Sequence, residues 1–411
     1  MYDKYITSNS VENKEAIYMN KKLKNIIVHA YNTVPYYMKI INNRKIDISE
    51  AEDLFYNTPI ISKKDVLKNP QEFLSNKYQT KDLKVLKTSG STGKPFEIYK
   101  SKKDIMCLNM PLWRIRINEY NIYPYNKCCI FFISHETNDY KPVYFIENNV
   151  LYLSSIKLDS NSINEYIDII LAFRPEWISA APNILFLFVT LAYNKRKLFS
   201  FIKYIELSGE YLTEYIRNQI EDFFSYAIIV NQYGTRETFA ISIERKCGHM
   251  HILNDNVFVE NDNNFLVTSL NSFAMPIIRY QLEDKIRIND VKCFLNSKEL
   301  KIIGSRDCSF LTLNNIYRSP TIFNDIVQKI NNNSILIKQF QIVQININTI
   351  LVKFIIDYDL VSPQEIKKRF LNFIGFYNLG QINIEFEFSK IINVSINGKF
   401  YYFVNKYNSL N

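Results

Sequence analysis

Every residue from Thr88 to Gly93 is serine, threonine or glycine (Thr88, Ser89, Gly90, Ser91, Thr92, Gly93), and Lys94 follows them in the segment LKTSGSTGKPFEIY. A loop of this composition presents backbone N–H groups and hydroxyls to phosphate oxygens, and the lysine adds positive charge. It is not a Walker loop, which needs four residues between its glycines and a helix behind it. Here two residues separate Gly90 from Gly93, and Pro95 to Tyr99 reads as strand. Taken alone, the segment is equally a polar turn between two strands.

Four more segments carry chemistry. In IELSGEYLTEYI, Ser208-Gly209-Glu210 falls between a buried strand and an amphipathic helix, where glycine lets the backbone approach a flat ligand. The plain alternative is a helix cap. In VNQYGTRETFA, Tyr233, Gly234, Thr235, Arg236 and Glu237 follow another buried strand. Such an aromatic ring can stack on a base, the threonine can hydrogen-bond it, and the carboxylate can hold magnesium through hard oxygens. MPIIRYQLEDKIRI leads through Arg279 and Tyr280 to Asp284, a carboxylate suited to accept two ribose hydroxyls. VSINGKFYYFV places Lys399 after Asn397 and Gly398 on a tight turn, where a lysine by itself is a solvated charge. The chain has only 9 glycines; those at 90, 93, 209, 234 and 398 lie in these segments and Gly304 opens Gly304-Ser305-Arg306-Asp307-Cys308, which favours backbone roles for the six.

Two groups stand apart. His135, in FFISHETND, is read as an ordinary loop histidine, with an acid-pocket role as the alternative. Cys247, His249 and His251, with Cys293, offer zinc-type ligands, but their spacing is not that of a standard finger. The expectation there is a strand-edge segment with one buried thiol.

The elements that must carry these residues follow from periodicity. Leu23, Ile26, Ile27, Ala30, Tyr31 and Val34 mark one helical face, ended by Pro35. From about residue 170, strand-like and helical runs alternate: Trp177 to Ala181, Ile184 to Ala192, Ile202 to Leu207, Leu212 to Phe223, Ala227 to Val230. That alternation predicts an α/β fold with parallel pairing and ligand loops at the strand ends. Beyond about residue 305, Gln339 to Ile356 alternates like antiparallel strand, a helix opens at Ser362-Pro363-Gln364-Glu365, and Ile382 to Phe388 returns to strand. The tail therefore reads as a small α+β lobe.

Composition excludes several classes. The 411 residues suit two domains, and 47% hydrophobic content with 29 Phe and 29 Tyr supports a packed core. Net charge is +9, spread along the chain without basic runs interleaved with aromatics, so no nucleic-acid groove is expected. The polar start MYDKYITSNS argues against a secretory signal, and no apolar run is long enough for a membrane span. Six cysteines without a Cys-x-x-Cys pair suit a reducing, cytoplasmic setting.

In this order the segments resemble the adenylate-forming superfamily, most closely the phenylacetate-coenzyme A ligase-like branch that includes capsular polysaccharide biosynthesis ligases. The likeness is carried by HAYNTVPYY, EDLFYNTPIISKKDVL, the Ser/Thr/Gly loop, FRPEWISAAPN, SGE, QYGTRE, CGHMHI and RYQLED. It implies an ATP-dependent ligase that converts a carboxylic acid to an acyl-adenylate and passes the acyl group on, first to coenzyme A. The alternatives are an amide-forming or carrier-protein-loading ligase, or a non-catalytic nucleotide-binding scaffold; a homodimer is left open. The resemblance further implies that residues 88 to 94 hold the ATP phosphates, Gly209 and Glu210 line the adenine pocket, and Tyr233, with Gly234 and Thr235 beside it, stacks on adenine. Glu237 would hold magnesium, and Asp284 would bind the ribose. Lys399 would act from a mobile lobe, 310–411, joined to a large domain, 1–303, by a hinge at 304–309. The chain departs from the pattern at Leu282-Glu283-Asp284, where Thr-Gly-Asp is expected. It departs again at Gly304-Ser305-Arg306-Asp307-Cys308, where the phosphate-binding arginine, here Arg306, stands one place late and cysteine replaces the hinge aspartate.

Overall fold

The computed structural model describes residues 8–406 apart from 89–95, 133–142, 156–157, 159–161, 262–263, 283, 296–297, 305–310, 314–315, 319–320, 332–333, 335, 378, 380 and 393–401. The chain forms two compact units, one of Met1–Tyr123 with Gln232–Lys301, the other of Pro124–Asn231 with Ile302–Asn411.

In the first unit a long helix, Ser8–Thr33, buries the expected face: Ile26, Ile27, Ala30 and Tyr31 have no exposed surface. The helix ends at Thr33, just before Pro35, as the sequence predicts, with Val34 extended, and the proline has a second effect. It opens a second short helix, Pro35–Ile40, because proline lacks only an N–H that a first turn leaves unpaired anyway. Lys84–Thr88 and Phe96–Lys100 pair antiparallel, with Thr88 opposite Phe96 at the end that leads into the Ser/Thr/Gly loop. The next helix, Lys102–Tyr120, starts with a Ser101–Asp104 capping box. The buried Asp104 also accepts the backbone N–H groups of Phe273 and Ala274, both at 3.0 Å, which ties the helix start to a distant loop. The part of strand Ile228–Thr235 that belongs to this unit, Gln232–Thr235, continues as an antiparallel meander through Phe239–Glu244 and Met250–Ile252. Lys298–Gly304 and Lys285–Asp290 extend that order. A three-stranded antiparallel sheet, Val257–Asn261, Phe265–Ser269 and Tyr280–Gln281, completes the unit.

The second unit is α/β, as the alternation predicts. Val150–Ser154, Cys128–Phe132, Trp177–Ala180 and Tyr204–Ser208 lie side by side and parallel, and Tyr144–Glu147 closes one edge antiparallel. The strand Tyr204–Ser208 is buried along nearly its whole length, as a parallel strand covered on both faces is, and its one charged residue, Glu206, accepts the Tyr204 hydroxyl at 3.0 Å. Ile163–Phe173, Pro182–Ala192 and Glu214–Phe223 supply its helices. In the tail, Ile337–Asn346 and Thr349–Ile356 pair antiparallel and are flanked in parallel by Phe403–Asn405 and Asn383–Phe388. Ser362 caps the helix Pro363–Ile374 by accepting the N–H of Glu365. Phe323, Phe354, Phe370 and Phe403 form the heart of this small layer. It rests on the helix pair of the same unit, where Asn331 Nδ2 donates to Tyr215 Oη at 3.3 Å beside an apolar crevice lined by Phe186, Ile216, Phe340 and Tyr402. Among the described residues no helix is long and apolar enough to cross a membrane.

Candidate functional site

The strand Ile228–Thr235 runs further than its apolar portion indicates and takes in Tyr233, Gly234 and Thr235, which the sequence places in a following loop. The ladder is irregular between Tyr233 and Gly234. A Cβ at Gly234 would lie 2.3 Å from the backbone oxygen of Phe239 and 2.9 Å from Ala240 Cα, so this glycine is required by the close approach of two backbones. Past the strand, Thr235 Oγ1 accepts the N–H of Thr238 at 3.2 Å and pairs with its hydroxyl at 3.0 Å, closing a tight turn.

That turn holds Glu237, which is 2% exposed. Its Oε1 accepts the Tyr280 hydroxyl at 3.2 Å, and its backbone oxygen accepts Lys100 Nζ at 2.7 Å. The Lys100 amine has no exposed surface and donates also to Ser272 Oγ at 2.6 Å. Burial pushes its pKa down to about 8, partly offset by the carboxylates of Asp104 and Glu237. Lys100 ends the strand that leaves the Ser/Thr/Gly loop, so one amine fastens that strand to the Glu237 turn. Sequence reasoning missed this residue. The available signal was strand alternation, which puts Lys100 on the same face as the fully buried Ile98.

Tyr233 and Asp284, 51 positions apart in sequence, are brought together: the tyrosine hydroxyl donates to Asp284 Oδ2 at 2.7 Å. Tyr233 is 9% exposed, and Asp284 stands half-buried just before the strand Lys285–Asp290. The neighbouring Arg279 has a structural task. In a left-handed conformation (φ 51°), it pairs with Glu260 and donates to the backbone oxygens of Tyr56 and Thr58 at 3.0 and 2.8 Å. Arg236 is exposed.

In the second unit, Gly209 follows the strand Tyr204–Ser208 with φ 85°, and a Cβ there would meet nothing within 4 Å. Its left-handed backbone favours glycine, and no other described part of the protein crowds the position. Ser208-Gly209-Glu210 does not form the helix start: the helix begins at Glu214 and is capped by Thr213, whose Oγ1 accepts the N–H of Ile216. Glu210 Oε2 accepts the Asn183 side-chain amide at 2.9 Å and its backbone N–H at 3.3 Å, linking SGE to the AAPN segment.

Several predicted positions lie outside the described residues: Ser89, Gly90, Ser91, Thr92, Gly93 and Lys94, His135, Ser305 to Cys308 including Arg306, and Lys399. Thr88 is described as the last residue of its strand, and Gly304 likewise.

No family model matches this chain, and no curated protein matches it. Solved structures do. 2-Hydroxyisobutyryl-CoA ligase in the postadenylation state with R3-HIB-AMP matches with a TM-score of 0.71 at 13% identity, over 95% of this chain and 89% of that one. The same ligase with 2-HIB-AMP and CoA in the thioesterification state gives 0.59 at 14%, over 97% and 91%. The anthranilate CoA ligase AuaEII with anthranoyl-AMP gives 0.55 at 12%, over 79% and 67%. The architecture described above is therefore that of these CoA ligases, and the chain shares their fold over nearly its whole length.

Proposed function

We propose that this chain is an ATP-dependent, AMP-forming ligase of the phenylacetate-coenzyme A ligase-like branch, acting in the cytoplasm. A carboxylate oxygen of the acid attacks the α-phosphorus of ATP and pyrophosphate leaves. The coenzyme A thiol then attacks the acyl carbon and AMP leaves. The observation that carries this reading is the 2.7 Å bond from Tyr233 to Asp284, because the two residues assigned to adenine and ribose are far apart in sequence yet adjacent in space. The shared fold supports it, since the ligases that match bind acyl-AMP and CoA.

In this reading the Tyr233 ring stacks on adenine while its hydroxyl orients Asp284 toward the ribose hydroxyls, so part of the ordering cost of the site is met before nucleotide arrives. Glu237 fits a magnesium ligand: a hard carboxylate with one oxygen steadied by Tyr280 and its backbone held by Lys100. Magnesium, when bound, neutralises charge on the phosphates. By resemblance, residues 88 to 94 take the phosphates, and Lys399 stabilises the charge that develops as the adenylate forms. Lys399 belongs to the lobe 310–411, which turns about residues 304–309 between the two half-reactions. That turn would break the Asn331 to Tyr215 hydrogen bond.

The test is acid-dependent exchange of radiolabelled pyrophosphate into ATP, with wild type and Lys399→Ala, across aryl, fatty and amino acids. Exchange with one class, lost in the variant, is the expected result. Tight ATP binding with no exchange for any acid would overturn the reading in favour of a nucleotide-binding scaffold. CoA thioester formation, measured separately, distinguishes a CoA ligase from an amide-forming or carrier-loading one.

A further inference from the structure

The first unit contains a cluster that the ligase reading does not use. Cys247 sits at the tip of the turn joining Phe239–Glu244 to Met250–Ile252, His251 is on the second of those strands, and Cys293 is in the connection between Lys285–Asp290 and Lys298–Gly304. His251 Nε2 lies 3.1 Å from Cys247 Sγ and 3.6 Å from Cys293 Sγ, and all three atoms lie within 4.8 Å of one another. The strand-edge expectation holds, but the buried member is the imidazole, 1% exposed, and not a thiol; both cysteines are half-buried.

We propose that Cys247, His251 and Cys293 bind a zinc ion that staples these two connections together. Zinc at about 2.3 Å from sulfur and about 2.05 Å from imidazole nitrogen in a tetrahedron sets neighbouring S and N ligands about 3.5 Å apart, which brackets well with the two observed separations. Backbone donors face both sulfurs. Leu295 N–H is directed at Cys293 Sγ at 3.4 Å, and the His249 backbone N–H is directed at Cys247, so each sulfur accepts from the residue two places on. Burial raises the pKa of the free Cys247 thiol, and these N–H···S contacts would help to hold the thiolate once a metal displaces the proton. Gly248, at φ 79°, lets the chain turn immediately after Cys247. The His251 imidazole also hydrogen-bonds the Lys298 backbone, the outer contact that fixes the orientation of a metal-binding histidine. His249 faces elsewhere, its Nδ1 2.9 Å from Glu299, so the fourth position falls to solvent. On binding, the two thiols release their protons to solvent, and two thiolates neutralise the ion's charge. Sulfur and imidazole select zinc over magnesium, which prefers oxygen.

Full-length protein purified under reducing conditions from zinc-supplemented cells is expected to carry about one zinc per chain by mass spectrometry of the metal, the stoichiometry of a single site with three protein ligands. Cys293→Ser should lose it, whereas Cys107→Ser, a half-buried thiol outside the cluster, should keep it. Replacement by cobalt(II) in the wild-type protein should give the sulfur-to-metal charge-transfer band of a thiolate site, a readout that stands even where Cys293→Ser fails to fold. Stripping the metal should expose two additional reactive thiols and lower the melting temperature. Protein that carries no zinc and gives no charge-transfer band with cobalt would overturn the proposal, as would a Cys247–Cys293 disulfide in protein purified without reductant that persists when reductant and zinc are added.

Discussion

Two successive turns of one meander hold their polar tips in opposite ways. The turn between Gln232–Thr235 and Phe239–Glu244 buries Glu237 and Thr238 almost completely, and fastens them with a lysine amine that itself has no exposed surface. The next turn, Arg245 to His249, is half-open: Arg245 pairs with Glu119 at its base, and its tip gathers sulfur and imidazole. A buried charge is tolerated only where hydrogen-bond partners surround it, and Lys100, Ser272, Tyr280 and Asp104 provide that surrounding for the first turn. Soft ligands at a rim need no such shell, because the ion they share supplies the cross-link. The first turn is therefore held by protein groups to its tip, while the tip of the second, beyond the Arg245 to Glu119 pair, would gain its cross-link from the ion it binds.

The sharpest way to break this contrast is Lys100→Met, which leaves the Asp104 charge and the Glu237 backbone oxygen without their amine. A loss of about 3–5 kcal/mol in chemical denaturation is expected, the cost of removing one member of a buried charged network. The pH dependence gives an independent check. Lys100 titrates at about 8 in the fold against an ordinary 10.5. Between those values the unfolded chain binds more protons than the folded one, so this residue's contribution to stability rises with pH through that window. Its burial cost, about 3 kcal/mol, applies below the window and is gone above it. Wild type should gain stability relative to Lys100→Met as pH rises from 8 to 10.5; parallel curves for the two proteins would show that the amine is not desolvated.

Glu237→Gln tests the same turn without unfolding it, because the amide oxygen still accepts from Tyr280. Pyrophosphate exchange should fall by about 100-fold, with the melting temperature nearly unchanged. Unaltered exchange would remove Glu237 from the site. Gly234→Ala acts on the backbone beneath: a methyl 2.3 Å from the Phe239 carbonyl cannot be accommodated by a side-chain rotation, and about 1–3 kcal/mol of stability should be lost. Stripping metal from the second turn should leave the effects of Lys100→Met and Glu237→Gln as they are, since the two turns are fastened separately.

What was legible in the sequence was whatever depends on neighbours in the chain. The helix face from Leu23 to Val34, the alternation of buried strands and helices after residue 170, and the Ser362 cap all follow from local spacing, and all appear. Strand ends were less legible, since the Tyr233-Gly234-Thr235 extension depends on a partner strand that accepts an irregular ladder. Lys100 was hard to read as a site residue because its partners Ser272 and Glu237 lie 172 and 137 positions away, and strand alternation indicates its burial but not what it holds. Cys293, 42 positions from His251, was named as a possible fourth ligand by residue type alone, and the structure brings it beside the imidazole while turning His249 to Glu299. Tyr233 and Asp284 were singled out by residue type, and the family resemblance proposed adenine and ribose roles for them, but neither indicated their contact.

That contact sets the smallest expected effect and the most specific one. Tyr233→Phe keeps the ring that would stack on adenine and removes only the hydroxyl that holds Asp284. If the hydroxyl serves to orient the aspartate for ribose, the variant should raise the KM for ATP by about 5- to 10-fold, the worth of one hydrogen bond to a charged group. Because the bond is made before and during the reaction alike, kcat should change little. Asp284→Asn in the same background should then add less than it does alone, since the two residues act as one unit. Additive losses would mean that Tyr233 and Asp284 touch without sharing a ligand, and would reduce the site to the Glu237 turn.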